Sequence, residues 1–411
     1  MATINPERLL ADLDHLRTFG ATENGVVRPS LSEVDLRSRY WLLERMQSTG
    51  LDARIDGVGN VIGRSTNPGP ALLIGSHSDT QPRGGWLDGA LGVIYGLEVA
   101  RALAENPATA HLAVDAVSWM DEESTFLGCL GSRSFCGVLD KSAEAAAKNA
   151  DGQLLSEALQ VAGLSTVARE RFEPGRYIGY LEAHIEQGPY LEEAGLEIGV
   201  VTSIVGIRGC TVRFVGEQNH AGTTPMPRRK DAGVALFDYA VKLRSLFQSL
   251  KGEKTVWTIG SARLEPGASS IIPGRAELAL QFRDEDENRL DRMEAAVRSL
   301  AEAATREGPV EVTVEPARTP ITPTIMDAAL QQHLADAAEA MTPGCWMRMP
   351  SAAGHDPMVL AHHLPCAMLF IPSINGISHD FAEDSKREDI ATGCQALAQA
   401  AENVLLGATR L

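Results

Sequence analysis

Short continuous apolar runs alternate with segments of helical hydrophobic spacing along the first third of the chain. Residues 71–75, ALLIG, form a run of the length of a buried strand. From Gly89 onward the apolar residues recur at helical spacing, with Glu98 and Arg101 assigned to the outward face. Two helices are predicted upstream, at residues 6–19 and 32–49. In the second, Ser32 precedes Asp35 by one helical turn, a weak capping-box signal, and Gly50 supplies the stop. Residues 54–63 read as a strand that turns at GVGN, and the alternation continues to about Leu139. This is α/β patterning, in which a site forms beyond the carboxyl ends of the strands. Residues 141–168 are Ala-rich and read as helical scaffold, best defined over DGQLLSEALQVAGL.

The pattern changes near Ile207. The stretch IGVVTSIVGIRGCTVRFVG is β-branched and punctuated by Gly, as strands are. It is followed by the loop EQNHAGTTPMPRRK, a helix at 231–250, the strands TVWTIGSARL and AELALQFRD, a helix at 287–306 and the strand VEVTVEP. Two strand–helix units on one antiparallel sheet are expected. Residues 326–411 then resume the first pattern with a helix over AGHDPMVLAHHL, the strand CAMLFIP, a Gly-rich loop and a closing helix. The fold expected is two-domain α/β: a mixed-sheet catalytic domain made of residues 1–207 and 322–411, with an α+β sandwich, 208–321, inserted in it.

Length supports two unequal domains, since 411 residues is long for one. A net charge of −17 argues against a nucleic-acid partner, because phosphate binding requires clustered Lys and Arg. There is no apolar run of about 18 residues, so no membrane span is expected. The opening MATINPERLLADLDHL mixes acids with its apolar residues and lacks a signal pattern, which gives a cytoplasmic expectation. The six cysteines include no closely spaced pair and are expected as reduced thiols.

Candidate chemistry collects at strand ends. His77 closes the first apolar run, with Asp79 two residues on, able to hold the other ring nitrogen as carboxylates do beside zinc. Asp88 stands just before the helix at Gly89 and reads either as a ligand bridging two cations or as a simple helix cap. MDEESTF presents three adjacent acids, including Glu122 and Glu123, which repel one another unless cations lie between them. His184 in LEAHIEQGP and His379 in INGISHDF complete a set of imidazoles and carboxylates without thiolate. Such a set suits a catalytic pair of zinc, manganese or cobalt ions.

The motifs GSHSD, LDGALGV, DEESTF followed by GSRSF, EAHIEQGP, NHAGTTPM, AGHD and GISH occur in this order over nearly the whole chain. In them the sequence resembles the zinc-dependent amidohydrolases that comprise N-carbamoyl-L-amino acid hydrolases, beta-ureidopropionases and allantoate amidohydrolases, within the co-catalytic zinc aminoacylase and carboxypeptidase superfamily. The resemblance implies two divalent metal ions per subunit, zinc by preference with manganese, cobalt or nickel as substitutes. One would be held by His77, Asp88 and His184, and the second by Asp88, Glu123 and His379. It further implies a metal-bridging hydroxide as nucleophile, Glu122 as general base, Asp79 beside the metals, and His220 stabilising the developing oxyanion. Arg283 would grip a small-molecule carboxylate substrate, with Gln187, Ser270 and His355 close by. The insertion would act as lid and as the surface of a homodimer.

Each residue has a plainer reading: His220 as a turn residue, Arg283 as half of a surface ion pair, Gln187 as a solvated helix residue. The chain departs from the family's Glu-Glu-Gly-Ser-Arg-Phe at Ser124 and Thr125, and from its Asn before Ile-Pro-Gly at Ser270. These changes spare the metal set and touch its surroundings, leaving N-carbamoyl amino acids, ureido acids such as allantoate, and N-acyl amino acids as substrates. A dipeptidase and a non-catalytic ligand-binding homologue are the alternatives.

Overall fold

The computed structural model describes residues 2–317 and 320–408. The chain divides into two compact units, residues 1–202 with 325–411, and 203–324. The insertion was expected at 208–321. It starts and ends farther out because Ile207 and Ile321 pair with each other, placing both sides of the neck in the second unit.

The first unit is built on a mixed sheet. Its four central strands, Cys366–Ile371, Tyr177–Ile185, Ala71–His77 and Val114–Trp119, lie side by side in that order and run parallel. Antiparallel strands flank them, Ile198–Ile204 on one side and the hairpin Asp52–Ile55 with Val61–Arg64 on the other. GVGN supplies the turn of that hairpin, so the single stretch read from 54 to 63 is two strands. Three of the central strands are buried at every residue and the fourth at nearly every one, because helices cover both faces of a parallel sheet. Helix Ala90–Glu105 fills one face and is itself buried nearly throughout.

That depth corrects one assignment. Glu98 and Arg101 do not face solvent, since helix Pro6–Thr18 packs across this helix and brings their partners. Glu98 accepts from Arg8 at 2.8 Å, and Arg101 reaches Asp12 at 2.6 Å. Buried charges require such pairing and hydrogen bonding. In helix Glu33–Ser48, Ser32 caps as expected, accepting from the Asp35 amide. Two helical expectations shrink. Residues 141–168 contain only Lys141–Ala146 and Leu155–Val161, separated by a turn at Gly152. In AGHDPMVLAHHL only Pro357–Leu360 is helical, opening at Pro357, which suits a first helical position, and ending ahead of Pro365.

The second unit is a four-stranded antiparallel sheet in the order Val256–Glu265, Arg275–Asp284, Gly206–Val215, Glu311–Pro316, with helices Ala232–Leu250 and Glu287–Glu307. Burial alternates along Arg275–Asp284, the signature of a sheet covered on one face only. Phe214, Leu278, Phe282, Leu236, Tyr239 and Val297 are among the residues of its core. No helix among the described residues is long and apolar enough to cross a membrane, and all six cysteines are free.

Candidate metal centre

The four parallel strands deliver their chemistry to one edge of the sheet. His77 is the last residue of its strand and pairs in register with Trp119, directly ahead of Met120 to Glu123. On the next strand His184 pairs with Phe370, and the chain leaving that neighbouring strand carries His379. Asp88 enters from the segment before helix Ala90–Glu105. The cap reading of Asp88 does not hold, because Gly89 occupies the cap position and no side chain caps that helix. Gly89 is required there twice over: its φ is +66°, and a Cβ would sit 2.4 Å from the His77 ring.

Asp88 is the hub. Its Oδ1 lies 3.1 Å from His184 Nε2 and 3.6 Å from His77 Nε2, while its Oδ2 lies 3.2 Å from His379 Nε2. Glu123 Oε1 approaches His379 Nε2 to 3.6 Å, and Glu122 Oε2 approaches His77 Nε2 to 3.8 Å. Among the described residues, three groups have donor atoms close enough to hold a cation: His77, Asp88 and His184; Asp88, Glu123 and His379; and His77, Glu122 and Glu123.

The imidazoles are fixed from behind. His77 Nδ1 contacts the Asp79 carbonyl at 3.1 Å, and His184 Nδ1 contacts the Ile185 carbonyl at 2.9 Å. A proton kept on Nδ1 by these carbonyls leaves Nε2 of the neutral ring as the atom that would bind a cation. The expected Asp79 carboxylate lies farther from His77, at 3.8 Å, because its Oδ2 accepts the Glu123 amide. Asp79 therefore orients His77 through its backbone and Glu123 through its side chain. Asp121, first of the three acids, is a turn residue that accepts the amides of Thr125, Phe126 and Leu127.

Electrostatics in this edge are unbalanced. Burial and then Glu123 push Glu122 well above the usual carboxylate range, and burial and then Asp88 push Glu123 up to about 9. Burial opposes the ionised form of Asp88 too, yet hydrogen bonds from His184 and His379 hold it well below that range. Burial would depress His184, but Asp88 outweighs it and raises the imidazole to about 9. Buried Glu123 Oε1 and Asp79 Oδ1 have no hydrogen-bond partner among the described residues. Crowded carboxylates with orphaned oxygens facing neutralisable imidazoles fit divalent cations of borderline hardness. The backbone is also strained here, with Asp121, Ser124, Gln187 and His379 at positive φ. Ser124 has φ 64°, which explains why a Gly suits that position in the family the chain resembles.

Gln187 is not a solvated helix residue. It lies in the loop after its strand, and its Nε2 contacts Asp88 Oδ2 at 3.2 Å and Ser378 Oγ at 3.1 Å. His355 is buried, bonds Ser351 Oγ at 3.1 Å, and packs against His184 with ring centroids 4.5 Å apart and the planes tilted by 59°. In the second unit, the strand Asn219–His220 pairs with Ile271–Ile272, so that His220 and Ser270 are adjacent and the Ala221 amide donates to the Ser270 carbonyl. His220 Nδ1 accepts the Gly222 and Thr223 amides at 3.0 and 3.2 Å, which fixes the proton on an exposed Nε2. Arg283, near the end of its strand, donates from Nε and Nη2 to Gln281 Oε1 at 3.2 and 3.1 Å.

Sequence reasoning passed over Gln81 and Glu383. Gln81 donates to Glu123 Oε2 at 2.7 Å, and its place two residues beyond Asp79 was the available signal. Glu383 bonds the Asp88 amide at 3.0 Å from far along the chain, with no local signal beyond following His379 in the same loop.

The sequence pattern of peptidase family M20/M25/M40 matches residues 73–403. An N-carbamoyl-L-amino acid amidohydrolase of Geobacillus stearothermophilus is 34% identical over 403 residues, covering 96% of this chain and 97% of its own. The allantoate amidohydrolase of Bacillus subtilis is 30% identical, with 94% of each chain covered. A crystal structure of an amidase of the hydantoinase/carbamoylase family from Burkholderia phymatum superposes with a TM-score of 0.95 at 52% identity, covering 99% of both chains. The chain belongs to the peptidase M20/M25/M40 family.

Proposed function

We propose that this chain is a two-metal amidohydrolase that cleaves the carbamoyl or ureido C–N bond of an N-carbamoyl or ureido amino acid. Its relatives are hydrolases of linear amides, and this class of activity is common ground for the chain. One observation carries the finer reading: the two oxygens of Asp88 face different donor sets, Oδ1 toward His77 and His184, Oδ2 toward His379. A buried carboxylate directed both ways is suited to bridging two cations. In this reading His77, Asp88 and His184 hold one ion and Asp88, Glu123 and His379 the other.

Cations held by these residues would supply charge that polarises a carbonyl and brings the pKa of water to about 7. The remaining work falls to side chains. Glu122, 3.8 Å from His77 Nε2 and next in sequence to the proposed ligand Glu123, takes a proton from the attacking water and delivers it to the leaving nitrogen. His220, with its Nε2–H available, donates to the oxygen on which charge develops. Arg283, pre-aimed by Gln281, holds the substrate carboxylate, with Gln187 and Ser270 as further polar contacts. Hydrolysis of a carbamoyl substrate would release the free amino acid and carbamic acid, which breaks down to carbon dioxide and ammonia.

The chain is further read as a homodimer. Val234, Phe237 and Val241 form an exposed apolar stripe on helix Ala232–Leu250, beside exposed Met226. Self-complementary two-fold association is the commonest way such a surface is covered.

The deciding experiment assays ammonia release from a panel of N-carbamoyl amino acids and ureido acids, against amino-acid release from dipeptides and N-acyl amino acids. Turnover confined to dipeptides or acyl conjugates would refute the carbamoyl reading, and no turnover of any panel member by the metal-loaded protein would favour a ligand-binding homologue.

A further inference from the structure

The first unit contains a buried carboxylate that no step above uses. Glu383 is 1% exposed and spends its acceptors on the segment that carries Asp88 and on the loop that carries His379. Its Oε1 accepts the amides of Leu87 and Asp88 at 3.2 and 3.0 Å, and its Oε2 accepts the Ser378 hydroxyl at 2.8 Å. Ser378 Oγ in turn accepts from Gln187 Nε2 at 3.1 Å, and Gln187 Nε2 also donates to Asp88 Oδ2 at 3.2 Å. A closed ring results, running Asp88 amide, Glu383, Ser378, Gln187 and back to the Asp88 carboxylate. The next residue strengthens it, because Asp384 Oδ1 accepts the Trp86 indole N–H at 3.2 Å. Gly85 opens the space for the clamp: a Cβ on it would stand 1.8 Å from Glu383 Oε1.

The candidate ligands are unequal in what holds them. His77 and His184 sit on strands and are anchored by backbone carbonyls. His379 sits in a loop, at φ 55°, with half of its side chain exposed. The ring through Glu383 reaches Asp88 Oδ2, the oxygen that faces His379.

We propose that Glu383 is a positioning residue that locks the bridging orientation of Asp88 and ties it to His379, so that its loss weakens the Asp88, Glu123 and His379 cation site while sparing the His77, Asp88 and His184 site. The inference rests on the two-cation reading above. Partners in this outer layer characteristically affect metal affinity by about 10–100-fold.

The test is a Co²⁺ titration, followed by absorbance and calorimetry, of chelator-treated native protein and of Glu383→Ala, Glu383→Gln and Gly85→Ala. The native protein is expected to take up two ions. Glu383→Ala should bind the first ion with native affinity and the second about 10–100-fold more weakly. Glu383→Gln keeps an acceptor for the Leu87 and Asp88 amides and should lose less. Gly85→Ala leaves Glu383 in the sequence but displaces its carboxylate, and should reproduce the Glu383→Ala titration. It also keeps the proposal testable if Glu383→Ala does not fold. Activity of all three should recover at high metal concentration. Two native-affinity ions in Glu383→Ala, or in Gly85→Ala if only that variant folds, would overturn the proposal. Uptake of a single ion by the native protein would instead overturn the two-cation reading beneath it.

Discussion

The two units use β-sheet in opposite ways. In the first, strands such as Val114–Trp119 and Cys366–Ile371 are buried at every position, so their faces have no room for solvated chemistry. Polar side chains inside them are consumed internally, as when Glu182 accepts from Ser76 and Tyr180 at 2.8 and 2.7 Å. Reactive groups are thereby confined to the strand ends, where His77, Glu122, Glu123, His184 and His379 collect. In the second unit Arg275–Asp284 alternates buried and part-exposed residues, and polar groups such as Arg283 stand along the strand itself. A doubly covered sheet concentrates charge at one edge, whereas a singly covered sheet distributes it and leaves apolar surface outside. The first arrangement should depend on bound cations and the second on association.

Removing the cations should have the largest effect. Chelation should abolish activity and expose the cost of the crowded acids. Burial, with Asp88 next, lifts Glu123 to about 9, and burial lifts Glu182 and Glu383 to about 7. Groups raised above their unfolded values contribute stability that is complete below the unfolded pKa and is lost as pH rises through the folded one. The melting temperature of the chelated protein should therefore fall from about pH 5 to about pH 9, while the metal-loaded protein changes little. A pH-independent gap between the two forms would mean that these acids are not what the cations neutralise.

Glu122→Gln comes next. The rate should fall by about 10²–10⁴-fold, with metal content near that of the native protein. Glu122 also belongs to the third group able to hold an ion, with His77 and Glu123. Loss of bound metal in the variant would make it a ligand and transfer the base role elsewhere.

The same contrast explains what could be read from sequence. Strand-end histidines and acids were legible because continuous apolar runs mark doubly buried strands and the chemistry must follow them. The Ser32 cap and the GVGN turn were legible because their partners are only residues away. Burial of Glu98 and Arg101 was not, since Arg8 and Asp12 reach them from another helix. Residues 141–168 misled because Ala-rich composition favours helix without fixing where a turn such as Gly152 interrupts it. The Asp79 contact was half legible: spacing identified the residue, but only the structure distinguishes its carbonyl from its carboxylate. Glu383 was invisible because its role lies in amides nearly three hundred residues upstream.

Arg283→Ala should produce a smaller loss, in the other unit. A charged contact to a substrate carboxylate contributes about 1.5–3 kcal/mol, and kcat/KM for carboxylate substrates should fall accordingly. Its fold should survive, because Gln281 keeps its own place on the strand. Unchanged kinetics on every carboxylate substrate would reduce Arg283 to a local hydrogen-bonding partner of Gln281.

The smallest effect on folding, and a clear one on assembly, is expected on the outer face of the second unit. Phe237 is 59% exposed, midway along the stripe that Val234 and Val241 complete at helical spacing. A Lys at an exposed helix position should change folding stability by no more than about 0.5 kcal/mol. In a two-fold interface the same residue meets its own copy or near neighbours, so the change is felt twice and charge is forced into a desolvated contact. Light scattering should therefore give the mass of two chains for the native protein and of one for Phe237→Lys, at matched concentration and with the melting transition preserved. If the monomeric variant keeps full kcat/KM, each chain is catalytically complete alone. If activity falls with dissociation and returns at higher protein concentration, association contributes to catalysis. A native protein that scatters as one chain at every concentration would remove the homodimer from this account, and the apolar stripe would then need a different explanation.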